Sequence, residues 1–162
     1  MLKPFMLAAG LLLAGAAGAA AQVPAGQGGD SSIIDISAAD AEMNAAIAGA
    51  RRELPAFYAR MARPGPDEHR FAVKFDILPG DGAEYVWARD LDRSTVPMTG
   101  VLMNQPEATS EQIGQRVPIP ETEIIDWGYV RGQVAQGYHT QRVLLGHMPP
   151  EEAAALRRRM GW

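Results

Sequence analysis

Apolar residues between positions 43 and 61 recur in steps of four and three: Met43, Ile47, Ala50, Leu54, Phe57 and Met61. That spacing places them on one stripe of an α-helix. Ser37 stands ahead of the stripe as an N-cap candidate, and Asp40 follows three residues on in an acidic variant of the capping box. Pro55 removes one helical N–H, so a kink or restart is expected near Leu54. The run Arg-Pro-Gly-Pro at 63–66 ends the helix.

Beyond it the period changes from 3.6 to 2. Phe71, Val73, Phe75 and Ile77 alternate with Ala72, Lys74 and Asp76, the pattern of a half-buried strand. The turn-forming residues at 79–82 lead into a partner strand over 84–91. Residues 100–104 read as a third short strand. Residues 116–120 are extended, with prolines that confine them to an edge. A last hairpin is expected, with 127–130 as one arm, a turn at Arg131 and Gly132, and 133–145 as the other. Pro149 and Pro150 then open a short helix with acids in its first turn and Arg157 to Arg159 in its last, ending at Gly161. The expected fold is α+β: an N-terminal helix packed on a bent antiparallel β-sheet, with a partly closed barrel as the extreme of that bend, and a short C-terminal helix.

The N-terminus adds a compartment. Lys3 precedes an almost continuous Leu, Ala and Gly run, and Ala19 and Ala21 offer the small residues of a cleavage site after Ala21. Residues 1–21 therefore read as a secretory signal peptide. The competing membrane anchor is disfavoured, because a spanning helix needs roughly 20 strongly apolar residues. Residues 22–36 read as a flexible leader rich in Gly, Ser, Gln and Pro, and 37–162 as a single domain. The expected location is the periplasm or outside the cell, with no membrane contact after signal cleavage. The chain has no cysteine, so an exported domain must rely on packing rather than disulfides. A net charge of −4 speaks against nonspecific nucleic-acid binding.

These segments together resemble the DUF2314 family of bacterial proteins. "EMNAAIAGARRELPAFYARM", "FAVKFDI", "EYVWARDL", "GVLMNQP", "IGQRVPIPETEIIDWGYV" and "GYHTQRVLLGHMPPEE" carry the likeness, from Glu42 to Glu152. The resemblance implies an α+β module and supplies no catalytic residues. Where the family shows Gly-aromatic-Thr-x-Arg in its last strand, this chain reads Gly137-Tyr138-His139-Thr140-Gln141-Arg142. One inserted residue there implies a β-bulge or a shifted register.

Candidate chemistry is sparse. His69, His139 and His147 lack metal-ligand spacing, and neither a metal nor another cofactor is expected. There is no nucleophile elbow, and His139 and Thr140 are adjacent residues that a strand would point to opposite faces. Asp126, Glu84 and His139 are the candidate catalytic set of a small hydrolase. Against that reading, Asp126 suits a turn or an ion pair with Arg131 or Arg142. Trp87, Trp127, Tyr129 and Tyr138 are candidate binding residues for a peptide, glycan or protein partner, and core packing is the simpler role for them. The leading expectation is a non-enzymatic binding or accessory module of the cell envelope. The alternatives are the hydrolase and a protein-contact partner of the immunity or stress kind.

Overall fold

The computed structural model describes residues 31–162 apart from Pro79 and Asp81, with side chains described from Asp40 onward. The signal-peptide reading, and the leader up to residue 30, lie outside the described residues. The first helix, α1, runs Ser31–Ala62 and so begins ahead of the expected Ser37 cap. It continues as a helix through Pro55. The expected stripe is its buried face: Met43, Ala50, Leu54 and Phe57 are buried, joined by Tyr58, while Ile47 and Met61 are half-buried.

Six strands follow: β1 (Glu68–Asp76), β2 (Tyr85–Asp92), β3 (Met98–Leu102), β4 (Arg116–Ile119), β5 (Ile124–Arg131) and β6 (Val134–Gly137). They form one sheet in the order β4-β3-β2-β1-β5-β6, every neighbouring pair antiparallel. The sheet is open, so the barrel extreme is not reached. Its α1 side is the core. Ala50, Leu54, Phe57 and Tyr58 pack with Val73, Phe75, Val86, Ala88, Leu102, Ile119, Ile124, Trp127 and Tyr129. Gly100 belongs to this face, and a Cβ there would come within 2.8–3.0 Å of Ile119, Leu91 and Ala88. Trp127 stacks on Phe57 at 5.1 Å, and its Nε1 donates to the Ala50 carbonyl at 2.9 Å, so the indole is satisfied inside the core.

Both sheet edges are protected. On β4, Pro118 removes a donor from the outer edge. On β6, the Ala135 carbonyl accepts from Trp162 Nε1 (2.8 Å) and Arg142 Nη2 (3.3 Å), and the Gly137 carbonyl accepts from Arg142 Nε (3.0 Å).

The last hairpin departs from expectation. Its second arm ends at Gly137, and residues 139–147 form a helix, α2 (His139–His147), rather than continuing the strand. Gly137 and Tyr138 both take left-handed backbone, with φ of 77° and 55°. These two residues turn the chain out of the sheet, where a bulge had been expected. His139 is therefore the first residue of a helix and not a strand residue. The final helix, α3 (Pro150–Met160), lies as expected, and Leu145, Ala153 and Leu156 form a second small core between α2 and α3. No helix among the described residues is long and apolar enough to cross a membrane.

Candidate functional site: the sheet face away from the long helix

Alternation along the strands dedicates the second face of the sheet to a different set of side chains. One row, read across the register, is Asp126 on β5, Lys74 on β1 and Trp87 on β2. The next is Gly128, Ala72, Arg89, Val101 and Arg116. Lys74, Tyr85 and Trp87 are half-buried, while Arg89 and Arg116 are exposed. The Tyr138 ring lies over Gly128, where any Cβ would overlap it, and meets Trp87 at 5.0 Å with a 39° tilt. The Lys74 ammonium sits 5.7 Å from the centre of the Tyr85 ring. Asn104 Oδ1 accepts the Trp87 backbone N–H at 2.8 Å and so fixes the 103–115 loop beside the tryptophan.

The electrostatics of this face follow from burial. Desolvation pushes the Lys74 ammonium below its ordinary pKa, and the Asp126 charge opposes that shift. Tyr138 is raised by burial first and by Asp126 second, with Arg70 opposing. No carboxylate lies within ion-pair distance of the Lys74 ammonium among the described residues. The amine is thus flanked by aromatic rings and attracted by a charge beneath it that it does not touch.

Asp126 is fully buried and fully engaged. Its Oδ1 accepts the N–H groups of Trp127 (2.8 Å) and His139 (3.0 Å). Its Oδ2 accepts the Thr140 N–H (2.8 Å) and the Thr140 hydroxyl (2.7 Å). The Tyr138 side chain does not cap α2, so the carboxylate from β5 supplies the acceptors that the first helical N–H groups need and faces the positive end of the helix dipole.

The other hydrolase candidates are held elsewhere. The Glu84 carboxylate accepts the backbone N–H groups of Glu107 and Ala108 and anchors the same 103–115 loop. The His139 ring points toward α1, edge-on to Trp127 at 5.2 Å, with Nε2 buried and 3.4 Å from Glu53 Oε2 but off hydrogen-bond geometry. Asp126 meets the backbone of His139 and not its ring. Of the four aromatic candidates, Trp127 and Tyr129 are core residues on the α1 side, and Trp87 and Tyr138 stand on the other face. No group of three or more His, Asp or Glu side chains among the described residues is placed to hold a metal ion.

Sequence reasoning passed over Lys74. A single charged residue between Val73 and Phe75 is the ordinary mark of a solvated strand face. What sets it apart is its burial beside the Tyr85 ring and opposite Trp87, neighbours that it meets only through the sheet register.

Comparison with known proteins identifies relatives and adds no chemistry to the site. A family model described as "Uncharacterized protein conserved in bacteria (DUF2314)" matches residues 40–162. The chain is 35% identical over 119 residues to "Uncharacterized protein YegJ" of Escherichia coli (strain K12), covering 73% of this chain and 76% of that one. It is 30% identical over 133 residues to the "Putative ankyrin repeat protein NMB1133/NMB1171" of Neisseria meningitidis serogroup B (strain ATCC BAA-335 / MC58), covering 76% of this chain and 53% of that one. No solved structure matches. The matched segment takes in the α1 stripe, all six strands and both terminal helices, and the chain therefore belongs to the DUF2314 family of uncharacterised bacterial proteins.

Proposed function

We propose that this protein is an exported, non-enzymatic binding module of the bacterial cell envelope, and that its ligand is an acidic glycan held on the sheet face around Lys74. The observation that carries the reading is the half-buried Lys74 ammonium, beside Tyr85 and Trp87 and with no ion-pair partner among the described residues. A flat sugar ring packs on exposed aromatic faces, and a uronate carboxylate would supply the missing anion. Arg89 and Arg116 place two further cations on the same face of an otherwise acidic chain. Charge complementarity therefore favours an acidic glycan over a neutral one. The hydrolase reading loses support because the Asp126 carboxylate has all its acceptor positions in use and the His139 ring faces away from it. The export half of the proposal rests on the N-terminal sequence.

Titration with short oligogalacturonates, read by tryptophan fluorescence, tests the reading. Oligogalacturonate should change the emission and a neutral maltooligosaccharide of equal length should not. Lys74→Met should abolish the response while remaining folded. Equal responses to both sugars, or an unchanged response in Lys74→Met, would remove the basis for the proposal.

A further inference from the structure

A second candidate site, which shares Arg89 with the Lys74 face, lies at the ends of β1 and β2 nearest the C-terminus of α1. A cleft of about 640 Å³ is lined there by Met61, Arg70, Phe71, Arg89, Leu91 and Met103, with Asp90 at its edge. That volume falls within the range of about 300–1,000 Å³ typical of small-molecule sites. We propose that this cleft binds a free aliphatic carboxylate, its head group between Arg70 and Arg89 and its chain on the Met61, Phe71, Leu91 and Met103 floor.

Three observations converge on this cleft. The first is charge. The Arg70 guanidinium is exposed and forms no ion pair or hydrogen bond among the described residues. Arg89 is engaged by Asp90 at 2.8 Å, but both side chains are more than half exposed, so a ligand carboxylate can replace that contact at little loss. Guanidinium matches a carboxylate with two parallel hydrogen bonds. The second is the floor. Its four apolar residues include two methionines, whose flexible thioethers adapt to a mobile chain, and Met103 is 45% exposed.

The third is the backbone. Arg70 and Asp90 have φ of 56° and 51°, and they are two of the three described non-glycine residues in the left-handed region. Each falls at a register break, between His69 and Ala72 against β5 and between Arg89 and Asp92 against β3. Bulges re-aim side chains, and glycine would occupy either position without strain. The chain instead keeps an arginine and an aspartate in disfavoured backbone on the two sides of one cleft. Strain of that kind concentrates at ligand sites.

The proposal shares Arg89 with the Lys74 reading but depends on Arg70, which that reading does not use. Isothermal titration of the full chain with decanoate below its micellar concentration tests it, beside butyrate, decanol and decyltrimethylammonium. Decanoate should bind one to one, at least about ten-fold more tightly than each of the other three, a margin of about 1.4 kcal/mol. Arg70→Gln should weaken decanoate by about ten-fold or more. Arg70→Gly should weaken it likewise while leaving the urea midpoint equal or higher, because glycine relaxes the left-handed turn. Equal binding of butyrate would show that the floor is not used. Equal binding of decanol or the ammonium compound, or wild-type affinity in both Arg70 variants, would show that the guanidiniums are not used. Any of these overturns the proposal. So does co-sedimentation with phosphatidylglycerol vesicles without decanoate binding, which would assign the same chemistry to a lipid bilayer.

Discussion

Replacing Asp126 with asparagine alters almost no volume, yet it should be among the costly single substitutions in the sheet. The two carboxylate oxygens accept four hydrogen bonds from Trp127, His139 and Thr140, and the group is completely shielded from water. An asparagine can present its carbonyl oxygen to only one of the two donor pairs. With oxygen toward Trp127 and His139, its NH₂ meets the Thr140 N–H and hydroxyl. The hydroxyl can rotate and accept, but the backbone N–H cannot, and a buried donor without a partner costs about 1–3 kcal/mol. The opposite rotamer faces NH₂ against two backbone N–H groups and is worse. Loss of the charge removes a further ~1 kcal/mol from the remaining bonds and the α2 dipole. The expected destabilisation is about 2–4 kcal/mol, a large share of a typical domain's 5–15 kcal/mol. Thr140→Val removes only the hydroxyl bond and should cost about 1–2 kcal/mol, with the double variant less destabilised than the sum because the two share a bond. Urea unfolding followed by far-UV circular dichroism measures all three. An Asp126→Asn variant within about 0.5 kcal/mol of the parent would refute the capping argument, since so small a loss requires every donor to keep a partner.

Other outcomes follow from the same geometry. Gly128→Ala should displace the Tyr138 ring from Trp87 and destabilise the fold by about 1–3 kcal/mol, with an altered tryptophan emission as its signature. Glu68 accepts from the Gly65 N–H, Arg131 and Arg60, and these hold its carboxyl below its ordinary value of 4.5, the Gly65 bond contributing most. A carboxyl whose pKa is depressed on folding stabilises the protein above its unfolded pKa, and that stability is lost as pH falls through the native value. The urea midpoint of the parent should therefore drop below about pH 4.5 more steeply than that of Glu68→Gln, as a pH series of unfolding curves would show. N-terminal sequencing of protein from the envelope fraction should read from Gln22; a chain still starting at Met1 in the cytoplasm would end the export reading.

The α1 stripe and the β1 alternation were legible because periodicity records burial directly: Leu54, Phe57, Val73 and Phe75 are core residues on the face their spacing assigns. The region after Gly137 was not. Tyr138, Thr140 and Val143 are good strand formers, and nothing local marks a helix start. The acceptors that cap α2 come from Asp126, on the neighbouring strand, and the turn relies on a left-handed tyrosine whose ring needs the bare Gly128 beneath it. Local propensity carries no trace of either. The Lys74 face was unreadable for a related reason. Its row joins residues 74, 87 and 126, which meet only once the register of three strands is set.

On the proposed function, the Lys74 face rather than the aromatic core meets the ligand. The indole N–H signals of Trp87, Trp127 and Trp162 in a ¹⁵N–¹H correlation spectrum recorded during oligogalacturonate titration test it most directly. Trp87 stands beside Lys74, whereas Trp127 is locked to the Ala50 carbonyl inside the core. A saturable shift of the Trp87 signal is expected while the Trp127 signal stays in place. A stationary Trp87 signal, or a Trp127 signal that moves as far, would contradict it.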